Sequence, residues 1–259
     1  MNSKVRNKEK LTIILLLAFV VYLAYTQIPK KELQKQTPKK IEKKVEKKKE
    51  IVVPKKTTEK KPKKKIQKKT DKKIEFKKVF VPIITKVYNN LYKNFEKTKN
   101  LVETNPEDEE LLKLKEKYKV NTNEELLIIL KPHPISIALS QAAIESAWGT
   151  SRFLKEANNI FGVWSFNKNE PRIAAIGKRE DTTIYLKKFS SIEAAIKQYY
   201  KMLSVSKVYF EFKKENFYND DPIEIAKKLT RYSEQGEVYT EKIISVLKYN
   251  NFKEYDNIR

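Results

Sequence analysis

The chain of 259 residues contains no cysteine, one histidine and only four glycines. Without cysteine, disulfide bonds, thiol catalysis and cysteine-containing metal sites are excluded. A histidine-based metal site or a Ser-His-Asp triad would depend on His133 alone, and His133 stands just before Pro134, where a loop is expected. The glycines are never adjacent, which excludes a glycine-rich phosphate loop, so we expect no nucleotide cofactor and no metal.

Positive charge is concentrated in one segment. The chain has 56 basic and 33 acidic residues, a net charge of +23, and residues 29–75 contribute 21 basic and seven acidic ones. Residues 76–259 contain 31 basic and 25 acidic residues, a balance typical of a globular domain. Segment 29–75 is otherwise rich in Pro and Thr and poor in apolar residues, so it buries too little surface to fold. We therefore predict a disordered linker at 29–75 and a folded domain at 76–259.

Residues 11–28 form an uncharged apolar run, preceded by four basic residues within residues 4–10. Eighteen residues are at the short end of what spans a bilayer whose hydrocarbon core is about 30 Å thick. A cleaved signal peptide and an uncleaved anchor both fit this pattern. No small-residue cleavage site follows the run, which favours a transmembrane anchor at 1–28. Lysines flank both ends, so the charges leave the orientation undecided.

The Lys-rich linker fits either a solvated spacer or an arm that binds polyanions. No aromatic residue lies between Gln27 and Phe76, so no stacking surface for bases accompanies the charge. We therefore favour the spacer and expect no nucleic-acid partner.

From residue 76 onward, hydrophobic periodicity predicts an α+β domain that is mostly helical, with a small β-hairpin lobe. Thr122 or Asn123 is expected to cap one helix, Ser190 to open a capping box with Glu193, and Asp221 to cap a helix that begins with Pro222. The predicted helices span residues 79–102, 107–118, 123–130, 134–148, 193–203, 222–232 and 238–249, and the hairpin spans 172–189.

One carboxyl stands out on the predicted helix 134–148. Almost every other side chain on this helix is apolar or small, which is typical of a helix in the middle of a domain, and Glu145 is its only ionisable residue. Apolar surroundings, the negative end of the helix dipole and a tryptophan at i+3, Trp148, would all raise its pKa. Such a group suits the protonation of a glycosidic oxygen. A buried ion pair with Arg152 or Arg231 is the alternative interpretation.

Several motifs in series accompany Glu145. SQAAIESAWGTSRF at 140–153 is followed by NNIFGVWSF at 158–166, KKFSSIEAAIKQYYKML at 187–203, Tyr209 and RYSEQGEVYTEKI at 231–243. Together they resemble Bax-like bacterial N-acetylglucosaminidases, relatives of the flagellar and autolysin-type glucosaminidases in family 73 of the glycoside hydrolases. The resemblance covers residues 126–252. It implies a lysozyme-like fold that acts on the glycan strands of peptidoglycan.

The resemblance also implies roles for particular residues. Glu145 matches the general acid, and Tyr232 and Tyr239 match tyrosines near the active site. The stretch that lines the substrate groove corresponds to Asn158, Asn159, Phe161 and Gly162, with Trp164 beside it as a sugar-stacking candidate. The alternative is a structural loop in which the asparagines bind backbone groups, Phe161 is part of the core and Trp164 simply packs. The loop at 167–171 departs from the Bax-like pattern of cysteine and glycine.

A second catalytic carboxylate is less well defined. The hairpin offers Glu170, Glu180 and Asp181, and Glu180 is the first candidate because it lies at the turn. Two catalytic carboxylates lie about 5–5.5 Å apart in retaining enzymes and about 6.5–9.5 Å apart in inverting enzymes. A route assisted by the N-acetyl group of the sugar, with no second carboxylate, stays open.

These observations together predict an endo-β-N-acetylglucosaminidase that cleaves peptidoglycan. Two alternatives are a lytic transglycosylase or muramidase on the same fold and a non-catalytic wall-binding domain. Because the substrate is the cell wall, we expect a single-pass protein of the inner (cytoplasmic) membrane with its catalytic domain on the periplasmic, extracytoplasmic side. We expect it to be a monomer.

Overall fold

In the computed structural model, which describes residues 63–179 and 182–257, the chain is mostly helical with one two-stranded antiparallel sheet. This confirms the predicted α+β class. The helices are α1 (Lys63–Thr104), α2 (Glu109–Tyr118), α3 (Asn123–Leu130), α4 (Ile135–Glu145), α5 (Arg152–Ala157), α6 (Ile192–Val205), α7 (Phe210–Tyr218), α8 (Pro222–Lys227) and α9 (Glu237–Tyr249). The strands are β1 (Arg172–Arg179) and β2 (Thr182–Lys187), and short 3₁₀ turns lie at Lys207–Tyr209, Leu229–Tyr232 and Phe252–Asn257.

Helix α4 is the centre of the fold, as its apolar sequence predicts. Its residues from Ile135 to Ala143 are all buried, and it packs against α1, α9 and the turn Phe252–Asn257. No side chain of its own caps its first turn. The Asp256 carboxylate does so instead, because it accepts hydrogen bonds from the backbone N–H of Ser136 at 2.8 Å and from the Ser136 hydroxyl at 2.6 Å. A negative charge is favourable at that end of the helix dipole.

Helix α1 begins earlier than the sequence pattern indicates. It starts at Lys63, inside the segment 29–75 that we predicted to be disordered, and so that boundary was set too late. Buried Phe76 and Phe80 attach the helix to the core, and the Lys73 ammonium donates to Asn250 Oδ1 at 3.2 Å. These tertiary contacts override the weak local signal of a lysine-rich stretch. The predicted anchor at 1–28 and the first part of the predicted linker lie outside the described residues.

Within the described residues, no single helix has the length and apolar content needed to cross a membrane. Helices α3 and α4 meet these criteria only as a pair, with a bend of 49° between them. Since α4 is the buried central helix, its hydrophobicity is accounted for by the core.

Two of the three predicted caps are confirmed. Thr122 forms a capping box with Glu125, and the Asp221 side chain accepts from the backbone N–H of Ile223 with Pro222 next to it. The predicted capping box at Ser190 is wrong by one residue. Ser191 caps α6 by accepting from Ala194, so its box position is an alanine. Glu193 is left to form ion pairs with Lys86 and Lys197, at 2.8 and 2.7 Å.

The small sheet is the predicted hairpin. Arg172 pairs with Lys187 at one end and Arg179 with Thr182 at the other, with an irregularity between Ala174 and Lys178. Trp164 adds an isolated bridge to Leu186 on the free side of β2. The hairpin thereby joins the loop after α5 to the rest of the domain.

The end of α4 differs from the prediction of a helix to residue 148. The helix ends at Glu145, and Ala147, Trp148 and Gly149 follow with φ angles of 50°, 60° and 77°. Trp148 therefore does not stack one helical turn beyond Glu145. Its ring packs against Phe76 and Phe252 instead, with centroid distances of 5.4 and 6.3 Å.

Replacing Gly149 with Ala is expected to destabilise the domain by about 1–3 kcal/mol, because its φ lies in the left-handed region. A Cβ there would also lie 3.2 Å from Phe80 Cε2. Gly162→Ala is the matched control: its φ is +66° and a Cβ would meet nothing within 4 Å. Urea unfolding should show the larger loss for Gly149→Ala, and equal losses would contradict a role for the Phe80 contact.

Candidate active site

Glu145 is the last residue of α4 and lies half-buried at its C-terminal end. Burial raises the pKa of its carboxyl, while a hydrogen bond from Tyr239 and the charge of Lys242 act in the opposite direction. The negative end of the helix dipole further opposes ionisation. The carboxyl is therefore held near a group that can donate to it, in surroundings that favour its protonated form.

The alternative of a structural ion pair finds no support in the geometry. Arg152 donates to Glu156 at 2.9 Å and to the backbone oxygen of Ala174 at 2.6 Å, and Arg231 is exposed. Among residues 63–179 and 182–257, Glu145 has no basic side chain within ion-pair distance. Its hydrogen-bond partner is a neutral hydroxyl.

Two predicted tyrosines come together with Glu145. The Tyr239 hydroxyl donates to Glu145 Oε1 at 2.7 Å, and the Tyr232 ring is stacked on the Tyr239 ring with centroids 5.5 Å apart and planes 7° apart. Burial raises the pKa of both phenols, so both keep their protons at any pH at which the domain works. The turn Leu229–Tyr232 and helix α9 supply these residues.

The asparagines of the NNIFG stretch are engaged with the backbone. Asn158 ends α5 in the left-handed conformation and donates to the backbone oxygen of Phe189 at 3.0 Å. Asn159 is 1% exposed, donates to the carbonyls of Val163 and Lys187 and accepts from the Val163 N–H. Asn159 holds the loop to the last residue of β2, and Asn158 holds it to Phe189 just beyond that strand, which is the structural alternative stated above. Sugar binding by the Asn159 amide would require its bonds to break.

Phe161, Gly162 and Trp164 have different surroundings. Phe161 is buried and stacks on Tyr199 at 3.8 Å. Gly162 has a φ of +66° with open space where a Cβ would be, so the backbone is accessible there. Trp164 is 47% exposed and lies 6.0 Å from the ring of Phe166, which is 78% exposed. Of the predicted sugar contacts, Trp164 is the one that presents a free aromatic face, and Phe166 extends it.

The candidate second carboxylates are not brought to Glu145 by any described contact. Glu170 pairs with Lys187 at 2.9 Å and accepts from the Ser165 hydroxyl at 2.8 Å. The hydrogen bonds from Lys187 and Ser165 lower its pKa, so it is an ionised, partnered carboxylate. Glu180 and Asp181 lie outside the described residues, and Glu180 stays a prediction. In the part of the chain that the structure describes, no group of three His, Asp or Glu side chains is arranged to hold a metal ion.

Two functional neighbours were not identified from the sequence. Lys242, one turn beyond Tyr239 on α9, acts on the Glu145 carboxyl through its charge and also lines an open groove of about 770 Å³. Trp148, Tyr249 and Lys73 line the same groove, which places aromatic and basic side chains beside the site.

Gln141 is a completely buried amide on α4 that donates to the Tyr239 hydroxyl at 3.1 Å. The signal for Gln141 was a polar residue on an otherwise apolar helix.

Residues 129–252 match the glucosaminidase family, described as mannosyl-glycoprotein endo-beta-N-acetylglucosaminidase. Every predicted site residue lies within this range. No curated protein matches the chain.

Three solved structures are similar to it. The catalytic domain of the autolysin Auto from Listeria monocytogenes is 19% identical, over 62% of this chain and 87% of that one, with a TM-score of 0.41. The glycoside hydrolase domain of FlgJ from Salmonella typhimurium is 22% identical, over 48% and 78%, with a TM-score of 0.39. A peptidoglycan hydrolase from Sphingomonas sp. A1 is 19% identical, over 51% and 84%, with a TM-score of 0.40.

Proposed function

We propose that the protein hydrolyses the β-1,4 bond after N-acetylglucosamine in peptidoglycan, with Glu145 as general acid, because residues 129–252 match the glucosaminidase family. The family match confirms the resemblance carried by the motifs, and the protein is a glycoside hydrolase. The observation that carries the role of Glu145 is its position: a half-buried carboxyl at the end of the central helix, paired with a neutral hydroxyl.

The proposed chemistry follows from the state of each group. Glu145, kept protonated by burial, donates its proton to the oxygen of the bond that breaks, and a water molecule supplies the hydroxyl for the anomeric carbon and gives up a proton in return. The carboxylate that remains is stabilised at once by the Tyr239 hydroxyl, which already donates to Oε1. Tyr232 supports the Tyr239 ring by stacking, so the hydroxyl needs no reorientation during the reaction. Trp164 and Phe166 offer an apolar face for a sugar ring.

The substrate suggests where the protein works. Peptidoglycan lies outside the cytoplasmic membrane, and residues 1–28 have the length and composition of a membrane anchor. We therefore place the catalytic domain on the extracytoplasmic side, tethered as a monomer through the lysine-rich linker. A protease-accessibility experiment on intact spheroplasts tests this topology, since the domain should be digested only if it faces outward.

The reaction is tested by product analysis. The full-length protein, incubated with purified sacculi, is expected to release muropeptides that end in a reducing N-acetylglucosamine, as determined by mass spectrometry after borohydride reduction. Anhydromuramyl ends would assign the protein to the lytic transglycosylases, and reducing muramyl ends would make it a muramidase. Binding to sacculi with no released muropeptide would leave it a wall-binding domain and overturn the proposal.

A further inference from the structure

A chain of hydrogen bonds leads from Glu145 into the core of the domain. Tyr239 donates to Glu145, Gln141 Nε2 donates to the Tyr239 oxygen at 3.1 Å, and the Tyr199 hydroxyl donates to Gln141 Oε1 at 2.5 Å. His133 Nε2 completes it, at 2.9 Å from the Tyr199 oxygen. Gln141 and Tyr199 are 0% exposed and His133 is 4% exposed, so water does not compete for these bonds.

The direction of every bond in the chain follows from the donors available. Tyr199 has one proton, and it is used on Gln141 Oε1, so the Tyr199 oxygen accepts from His133. Burial lowers the pKa of His133 to about 3, so the imidazole is neutral. Because the Tyr199 proton is used on Gln141, Nε2 must carry the imidazole proton to donate to the Tyr199 oxygen. Gln141 is then oriented with its NH₂ group towards Tyr239. All four bonds therefore donate in one direction, towards Glu145.

We propose that Gln141, Tyr199 and His133 are positioning residues for the general acid: they keep the proton of the Tyr239 hydroxyl directed at the Glu145 carboxyl. The proposal rests on the proposed function of Glu145 and extends it into the core. Without Tyr199 as a donor, Gln141 can turn its amide over and present Oε1 to Tyr239. The Tyr239 proton would then be drawn away from Glu145, and the carboxylate formed in the reaction would lose its donor.

The rings around the chain of bonds hold it in place. Phe161 stacks on Tyr199 with planes 6° apart, and Tyr200 stacks on His133 with centroids 4.3 Å apart. This gives Phe161 a role in the site without contact to sugar: it fixes the Tyr199 ring. The other titratable groups that act on the chain of bonds are Lys242 at Glu145, Tyr232 at Tyr199 and Tyr239, and Tyr200 and Tyr209 at Tyr199. Tyr88 and Asp256 act on the neighbouring Tyr200.

The test is the pH profile of kcat/KM of the full-length protein on a soluble glycan strand. Glu145 must be protonated to act, so activity falls as pH rises through its pKa. Loss of a donor to the carboxylate raises that pKa, and the alkaline limb moves to higher pH. We expect a shift of about one to two pH units for Tyr239→Phe and about half a unit for Tyr199→Phe, with kcat lowered in both.

Tyr200→Phe is the matched control. Tyr200 adjoins Tyr199 on α6, is 3% exposed and stacks on His133, but its hydroxyl reaches only the backbone oxygen of His133, at 3.5 Å, and it bonds to no side chain in the chain of bonds. It should leave the alkaline limb where it is in the parent protein. Gln141→Leu serves as a second variant if Tyr199→Phe does not fold, and it should also shift the limb upward.

An unchanged limb in folded Tyr199→Phe and Gln141→Leu would overturn the proposal, and so would an equal shift in Tyr200→Phe. Glu145→Gln separates this outcome from failure of the proposed function. If Glu145→Gln keeps its activity, the general acid itself is misassigned; if it is inactive while the limb stays fixed, only the positioning role fails.

Discussion

Glu145→Gln is expected to lower the rate of sacculus hydrolysis between about 100- and 10,000-fold, the usual contribution of general acid catalysis. The amide keeps the shape of the side chain and can still accept from Tyr239, but it has no proton to give to the glycosidic oxygen. Release of soluble muropeptides, followed over time by chromatography, measures the loss. The substitution removes no large buried group, so the circular dichroism spectrum should be unchanged.

The matched control for this substitution is Glu156→Gln. Glu156 lies on the exposed side of α5 and pairs with Arg152, so the change removes a carboxyl of the same size from a surface ion pair. It should retain full activity, because exposed ion pairs contribute little. Activity of Glu145→Gln at the level of Glu156→Gln would exclude Glu145 as the acid.

Glu145→Gln is also expected to raise Tm. The direction of this change follows from the raised pKa of Glu145. Burial raises the pKa of Glu145 in the folded state, so the protonated form is the one that folding favours. The stability that this group contributes is present at low pH and is lost as pH rises through the raised pKa. A glutamine does not ionise. The difference in Tm between Glu145→Gln and the parent should therefore grow as pH rises above the ordinary glutamate pKa of about 4 and level off above the raised pKa, and a constant difference would contradict the raised pKa.

Phe76→Ala is expected to lower the free energy of unfolding by about 3–5 kcal/mol, the range for removing a buried phenylalanine. Phe76 is 2% exposed and packs against Phe80 at 4.8 Å and against Trp148 at 5.4 Å. Trp148 belongs to the turn that follows Glu145, so loss of the ring should also lower activity at temperatures where the domain stays folded. Urea unfolding and activity at low temperature measure the two effects.

Ile74→Ala controls for a general effect of shortening side chains on α1. Ile74 is 60% exposed on the same helix and should change stability by less than about 0.5 kcal/mol. An equally small effect of Phe76→Ala would mean that α1 does not contribute to the core.

The central helix and the carboxyl at its end were predictable because the signal was local. An apolar stretch with one carboxyl indicates a buried helix with an unusual group, and the structure places Glu145 at the end of that helix. The end itself was misplaced by three residues, because Ala147 and Trp148 adopt positive φ angles that neither residue type favours. Only Gly149 signalled the stop.

Other parts depend on contacts between distant residues. Helix α7 was missed because it has little periodicity and buries Lys213 and Asn216, which sequence patterns assign to the surface. Tyr199 and Gln141 are 58 positions apart, and nothing local in either segment pairs them. The asparagines at 158 and 159 matched a substrate-binding motif in sequence, whereas their amides satisfy the backbone of the loop in the structure.

The buried position of His133 has a consequence for the catalytic cycle. In the proposed reaction, each protonation of a glycosidic oxygen leaves Glu145 one proton short. The inner end of the hydrogen-bond chain does not resupply that proton, because His133 is only 4% exposed and its pKa of about 3 keeps it from taking one up. The proton must therefore come back from water on the substrate side. Glu145 can therefore be reprotonated only when water enters the cleft. A glycan strand that stays bound after cleavage delays the next turnover.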